Sequence, residues 1–200
     1  MTGLVNSRAA EMKLADLIKY CAENDIPIIG IFCDGNDFRE INNKIGHDVG
    51  DEVIKALAEA IKEATRTSDL PVRLADEQTV FEDLPTDEEF ETRARIGGDE
   101  FFVALPGANL QDASTIFSRI STKFASITDR VVPQCKQRFG RSLTVTGGAA
   151  QYDPAIDENP HAFIKRCERT MQTSKDTQKG SLIISNPNPL PQTAAPLSRL

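Results

Sequence analysis

The chain has 200 residues, 40% hydrophobic and 26% charged, with a net charge of −7 and a mean hydropathy of −0.33. These are the proportions of one water-soluble globular domain, long enough to bury a core. No apolar run approaches the ~20 residues of a bilayer-crossing helix, and residues 1–8 lack a signal-peptide pattern, so the expectation is a cytoplasmic chain without membrane insertion. Cys21, Cys33, Cys135 and Cys167 are scattered with no CxxC pair, which suggests neither a zinc site nor a disulfide framework. The acidic balance argues against a nucleic-acid partner, but leaves room for a nucleotide whose phosphates a metal ion bridges.

In chain order, residues 8–24 carry Leu14, Leu17, Ile18 and Cys21 at helical spacing. "IPIIGIFCDGND" follows, a continuous apolar run of the kind found in strands buried on both faces, ending at Asp34. After a short polar turn, "GDEVIKALAEAIKEATR" places Val53, Leu57, Ile61 and Ala64 on one helical face. Residues from about 74 to 93 break the rhythm: they are strongly acidic, poor in large apolar side chains, and read as a surface excursion in which Thr86 and Glu89 can form a capping box. "RIGGDEFFVAL" (95–105) reads as strand, tight turn, strand. Asn109 then caps a helix that turns Ile116, Phe117, Ile120 and Phe124 inward. "SLTVTGGAAQ" is a strand, and Asn159 with Pro160 opens a helix burying Phe163, Cys167 and Met171. "SLIIS" is a last short strand, and the Pro-rich residues 186–200 have the composition of a disordered tail. The alternation implies an α/β (α+β) domain with one central mixed sheet of five strands flanked by helices.

Chemistry is expected where acids fall at strand ends. Asp34 closes a buried strand, and Asp99 and Glu100 follow Gly97 and Gly98 at the hairpin tip. Ligands of α/β sheets gather at strand ends. If the two segments are neighbours, three carboxylates converge, and their repulsion is relieved by a divalent cation carrying phosphates. An ordinary glycine hairpin with surface acids fits the same stretch taken alone. His47 and His161 suggest no Ser–His–Asp set.

"GGDEF" at 97–101 is the name-giving signature of the GGDEF, or diguanylate cyclase, family, and the rest of the chain resembles that family in order. "MTGLVNSR" (1–8) looks like its opening "LTGL-x-N-R-R", "DGNDFREINNKIGHDVGDEVI" (34–54) resembles "D-x-D-x-FK-x-IND-x-x-GH-x-x-GD-x-x-L", and "LTVTGGAA" (143–150) resembles "T-x-S-x-G-x-A". The similarity spans residues 1–185. It implies the palm-like nucleotidyl cyclase fold and a bacterial signalling enzyme that condenses two GTP into cyclic di-GMP with loss of two pyrophosphates. Such an enzyme works as a transient or regulated homodimer with one GTP per subunit.

Carried over by position, Asp34, Gly35 and Asp99 would bind Mg²⁺ (or Mn²⁺). Glu100 would join them or help deprotonate the attacking hydroxyl. Gly97 and Gly98 would make room for phosphate and ribose, the amides of Asp37 and Phe38 would meet the terminal phosphates, and Lys175 and Lys179 would face the same phosphates. Asn42 and Asp51 would read guanine, because a carboxylate accepts from the N1–H and 2-amino groups that adenine does not present. Arg66 and Asp69 match the "RxxD" product-inhibition motif, although the acidic insertion at about 74–93 separates them unusually far from the signature. Asn36 stands where the family has a second Asp, Arg39 where it has Lys, and Lys179 where it has Arg. The alternative function is a GGDEF module that has lost turnover and signals by binding GTP or cyclic di-GMP.

Overall fold

The computed structural model describes residues 5–65, 92–95, 99–173 and 178–185. In chain order the elements are β1 (Val5–Asn6), α1 (Ser7–Glu23), β2 (Ile28–Gly35), α2 (Phe38–Lys44), α3 (His47–Ala64), β3 (Thr92–Arg95) and β4 (Glu100–Pro106). After these come α4 (Leu110–Val131), α5 (Pro133–Phe139), β5 (Val145–Gln151), α6 (Pro160–Gln172) and β6 (Leu182–Ser185). The strands form one mixed sheet in the order β1-β3-β4-β2-β5-β6. β2 lies at its centre, antiparallel to both β4 and β5; the outer pairs β1–β3 and β5–β6 are parallel. Placing β2 between β4 and β5 makes the connection through α4 a crossover, and the parallel β5–β6 pair needs another through α6.

The apolar run of β2 serves both faces because side chains alternate. Ile29, Ile31 and Cys33 join one core with α3 and α4; Ile28 and Phe32 join the other with α1 and α6. β4 divides the same way, with Phe101, Val103 and Leu105 on the first side and Phe102 and Ala104 on the second. Each of these large side chains is worth about 1.5–3 kcal/mol when removed from water. The inward helix positions expected from periodicity, Val53, Leu57 and Ile61 on α3 and Ile116, Phe117, Ile120 and Phe124 on α4, are all buried.

Caps set the helix starts. The Asn109 side chain accepts from the amides of Gln111 and Asp112, while Asp112 accepts from the Asn109 amide, a reciprocal capping box. Asn159 accepts from the Ala162 amide, and Pro160 occupies the first turn of α6.

The structure departs from the sequence reading in several places. The sheet has six strands where five were expected: the short β1 at its edge was not foreseen. The short polar turn after β2 contains α2, and β2 itself continues through Asp34 and Gly35. Helix α5, begun by Pro133, was not anticipated because it is short and carries a single buried side chain, Cys135. Thr92 and Arg93, counted with the acidic excursion, belong to β3; the rest of that excursion, the Thr86–Glu89 capping box and the tail 186–200 lie outside the described residues. Among the described residues no helix is long and apolar enough to cross a membrane. The four cysteines are free and buried, and burial pushes the Cys33 and Cys167 thiols up to about 12.

Gly148 lets α6 lie directly on β5. A Cβ there would stand 2.3 Å from the Cys167 carbonyl oxygen and 2.3 Å from the Met171 amide nitrogen, both backbone atoms that cannot swing aside. Gly148→Ala is therefore expected to destabilise the domain by roughly 2–3 kcal/mol through overpacking, read as a lower midpoint in denaturant unfolding.

Candidate functional site

The register of the sheet brings the two acidic points together. β2 and β4 pair so that Asp34 stands opposite Glu100, and the Gly35 amide donates to the Asp99 carbonyl at 3.2 Å. Asp99 packs so close that its Cβ lies 3.9 Å from where a Cβ on Gly35 would be. Asp34, Gly35 and Asp99 line one cleft of 410 Å³, whose remaining walls include Asp37, Phe38, Arg39, Lys44 and Lys179. Asp34 is 3% exposed.

Three converging carboxylates were expected, and two are found in the cleft: Glu100 sits beside Asp34 in the sheet but does not line it. Among the described residues no group of three or more His, Cys, Asp or Glu is placed to hold a metal ion. The donor set left by Asp34, Asp99 and the backbone at Gly35 is all oxygen and incomplete. That suits a hard divalent cation which keeps positions for substrate phosphates and water.

Asn36, the residue that departs from the family's usual Asp, is buried and hydrogen-bonded at both ends of its side-chain amide. Its amide nitrogen donates to Thr144 Oγ1 at 2.9 Å, and its carbonyl oxygen accepts from Thr146 Oγ1 at 3.0 Å. The Asn36 backbone amide donates to the Thr144 carbonyl, and Thr146 Oγ1 accepts from the Gly180 amide at 3.0 Å. A neutral amide satisfies a donor and an acceptor partner at once, without a further charge beside Asp34. This network ties the end of β2 to β5 and to the turn that carries Lys179.

Asp37 follows in a left-handed conformation at φ 65°, preceding α2 without capping it through its side chain. Its carboxylate instead accepts from Arg141 and, at 3.2 Å, from Lys179. Burial pushes the Asp37 carboxyl up, but the hydrogen bonds and charges of Lys179 and Arg141 outweigh that and hold it below the ordinary carboxylate range. Lys179 thus lines the cleft while it holds Asp37. Arg141 had no signal in the linear sequence, since it meets Asp37 only through the tertiary fold.

Asn42 and Asp51 do not line this cleft but share the corner between α2 and α3. Asn42 lies across Gly50, with its Oδ1 only 1.9 Å from the position of a Cβ there. That oxygen is buried and has no hydrogen-bond donor among the described residues, while Asp51 is exposed. Gly97, Gly98, Lys175, Arg66 and Asp69 lie outside the described residues.

The domain is thus a mixed sheet with helices packed on it and an acidic, cation-rimmed cleft at the end of its central strand. The match to the family described as "Diguanylate cyclase, GGDEF domain" covers residues 1–82 and 86–181, and the chain belongs to that family. The short break in the match falls inside the acidic stretch. Among curated proteins it is 26% identical over 188 residues to the response regulator PleD of Caulobacter vibrioides, covering 92% of this chain and 35% of PleD. It is 29% identical over 182 residues to the diguanylate cyclase TpbB of Pseudomonas aeruginosa, covering 90% of this chain and 35% of TpbB. The chain thus spans about a third of the length of these relatives. The solved GGDEF domain of TpbB matches with a TM-score of 0.70 at 26% identity, over 94% of this chain and 100% of that one. The coiled coil and GGDEF domain of DgcB from Caulobacter crescentus shares the fold, with a TM-score of 0.69 at 22% identity over 92% of this chain and 83% of that one.

Because Asn36 is paired through both ends of its amide, Asn36→Ala leaves Thr144 and Thr146 hydroxyls without their buried partner. The variant is expected to lose about 1–3 kcal/mol of stability, measured by chemical denaturation, with Thr144→Val and Asn36→Ala non-additive in a double-mutant cycle.

Proposed function

We propose that this chain is a diguanylate cyclase domain that condenses two GTP molecules into cyclic di-GMP and releases two pyrophosphates, each subunit of a two-fold pair holding one GTP and one metal site. The observation that carries the reading is that Asp34 and Asp99, distant in sequence, line one cleft beside Gly35 with Lys179 on its wall. Family membership and the likeness to TpbB, which bears the name diguanylate cyclase, support it.

Asp34, Asp99 and the Gly35 carbonyl would hold Mg²⁺ (or Mn²⁺), which when bound supplies positive charge to the phosphates and to the attacking oxygen. Lys179, with Lys175 from the neighbouring segment, would draw the terminal phosphates to the opposite wall, and the amides of Asp37 and Phe38 would complete that grip. Glu100, next to Asp34 on the adjoining strand, would help take the proton of the 3′-hydroxyl. Gly97 and Gly98 would let the hairpin backbone close on phosphate and ribose. One subunit presents each 3′-hydroxyl to the other subunit's α-phosphate, so a symmetric product calls for a symmetric pair.

Guanine selection falls to Asn42 and Asp51. An exposed Asp51 carboxylate has room to accept from the N1–H and 2-amino groups of guanine, with Asn42 packed against the adjacent Gly50. Adenine offers neither donor at those positions.

Incubating the protein with GTP and Mg²⁺ across a range of protein concentrations should yield cyclic di-GMP and pyrophosphate at a rate rising faster than linearly with protein. GTP or cyclic di-GMP binding without pyrophosphate release would support the binding-module reading instead. Asp99→Ala is expected to reduce turnover by about a thousandfold while leaving the unfolding midpoint near that of the parent, since it removes several kcal/mol of charge stabilisation from a partly exposed turn. Undiminished activity would refute the metal assignment. Asp51→Ser is expected to narrow the preference of GTP over ATP by about tenfold in competition binding.

A further inference from the structure

Arg141 and Lys179 approach Asp37 from two separate connections. Arg141 follows Gly140, which ends α5 in a left-handed conformation at φ 67° and turns the chain toward α2. Lys179 stands in the turn before β6, pinned by the Gly180 amide on Thr146 and the Gly147 amide on the Ser181 carbonyl. Both cations end on the same carboxylate, one on each oxygen. The Asp37 side chain is 11% exposed, whereas Arg141 and Lys179 are 46% and 53% exposed and keep unused N–H donors.

A carboxylate on the wall of a cleft that is to receive a polyanion is unfavourable by itself, because like charges at such distances repel strongly when partly desolvated. The two cations remove that repulsion, but they are then committed to an internal anion.

We propose that Asp37 is an internal counterion for the terminal-phosphate end of the cleft and that Arg141 is a further substrate-binding residue, so that incoming phosphates take over N–H donors of Arg141 and Lys179 that Asp37 holds in the free protein. The inference rests on the nucleotide reading of the cleft made above. The β- and γ-phosphates depart together as pyrophosphate. The carboxylate that yields on binding therefore reclaims the cations on release, and the site holds its leaving group less tightly than two free cations would.

The proposal separates phosphate contact from a merely structural role, because only ligands carrying terminal phosphates should sense it. Calorimetric binding of Mg²⁺–GTP, GMP and inorganic pyrophosphate to the wild type, Arg141→Ala and Asp37→Asn provides the test, with circular dichroism checking that each variant is folded. Arg141→Ala is expected to weaken GTP and pyrophosphate about tenfold, the loss of one charge-assisted hydrogen bond, with GMP within a factor of about two. Asp37→Asn is expected to tighten GTP and pyrophosphate several-fold, again without effect on GMP.

Equal losses for GTP and GMP in Arg141→Ala would make Arg141 a structural residue and overturn its assignment. Weaker or unchanged pyrophosphate binding in Asp37→Asn would overturn the counterion role. If either variant is unfolded, Arg141→Lys and Asp37→Ser take its place under the same criteria. A wild-type protein that binds neither GTP nor pyrophosphate would bring down the nucleotide reading itself, whereas normal wild-type binding with indifferent variants would bring down this inference alone.

Discussion

The antiparallel register between β2 and β4 is the constraint on which the site depends. It sets Asp34 opposite Glu100 and, through the Gly35 amide and the Asp99 carbonyl, ties the end of the central strand to the residue that precedes β4. A slip of one residue would invert every side chain of β2. Ile29, Ile31 and Cys33 would leave the core shared with α3 and α4, and Asp34 would turn to the opposite face. Hydrophobic burial on two faces therefore enforces the placement of one carboxylate, and core packing and site geometry share a single cause.

The electrostatics of the cleft follow from what is allowed to be charged there. Asn36 stands where the family has an acid, and its amide is engaged at both ends by threonine hydroxyls, so its burial adds no charge. Asp37, next in the chain, remains anionic because two cations compensate it. The cleft is thus lined by Asp34 and Asp99 together with an Asp37 carboxylate that is held by Arg141 and Lys179.

Much of this was legible in the residues. The continuous apolar run of β2, the 3.6-residue stripes of α3 and α4, and the Asn109 and Asn159 caps are local signals, and each appears where it was expected. The site acids were legible through the family motif, because Asp34 and Asp99 keep their spacing from the glycines around them. Helix α2 was hidden, since its segment "FREINNK" buries a single residue, Ile41, and so lacks an apolar stripe. The edge strand β1 was hidden because a two-residue pairing has no periodicity to detect. Arg141 could not be foreseen: an arginine after a glycine in a loop carries no mark of the carboxylate it will meet.

The sequence by itself determined the alternation of strands and helices, the helix starts, the family and the identities of the acids, because each of these is carried by neighbours along the chain or by short motifs. Only the tertiary structure decided that Asp34 and Asp99 share a cleft while Glu100 stands beside it, that Asn36 is satisfied by Thr144 and Thr146, and that Asp37 holds Arg141 and Lys179. Those are pairings between distant segments. Their geometry is set by strand register and by helices docking on both faces of the sheet, which no local pattern encodes.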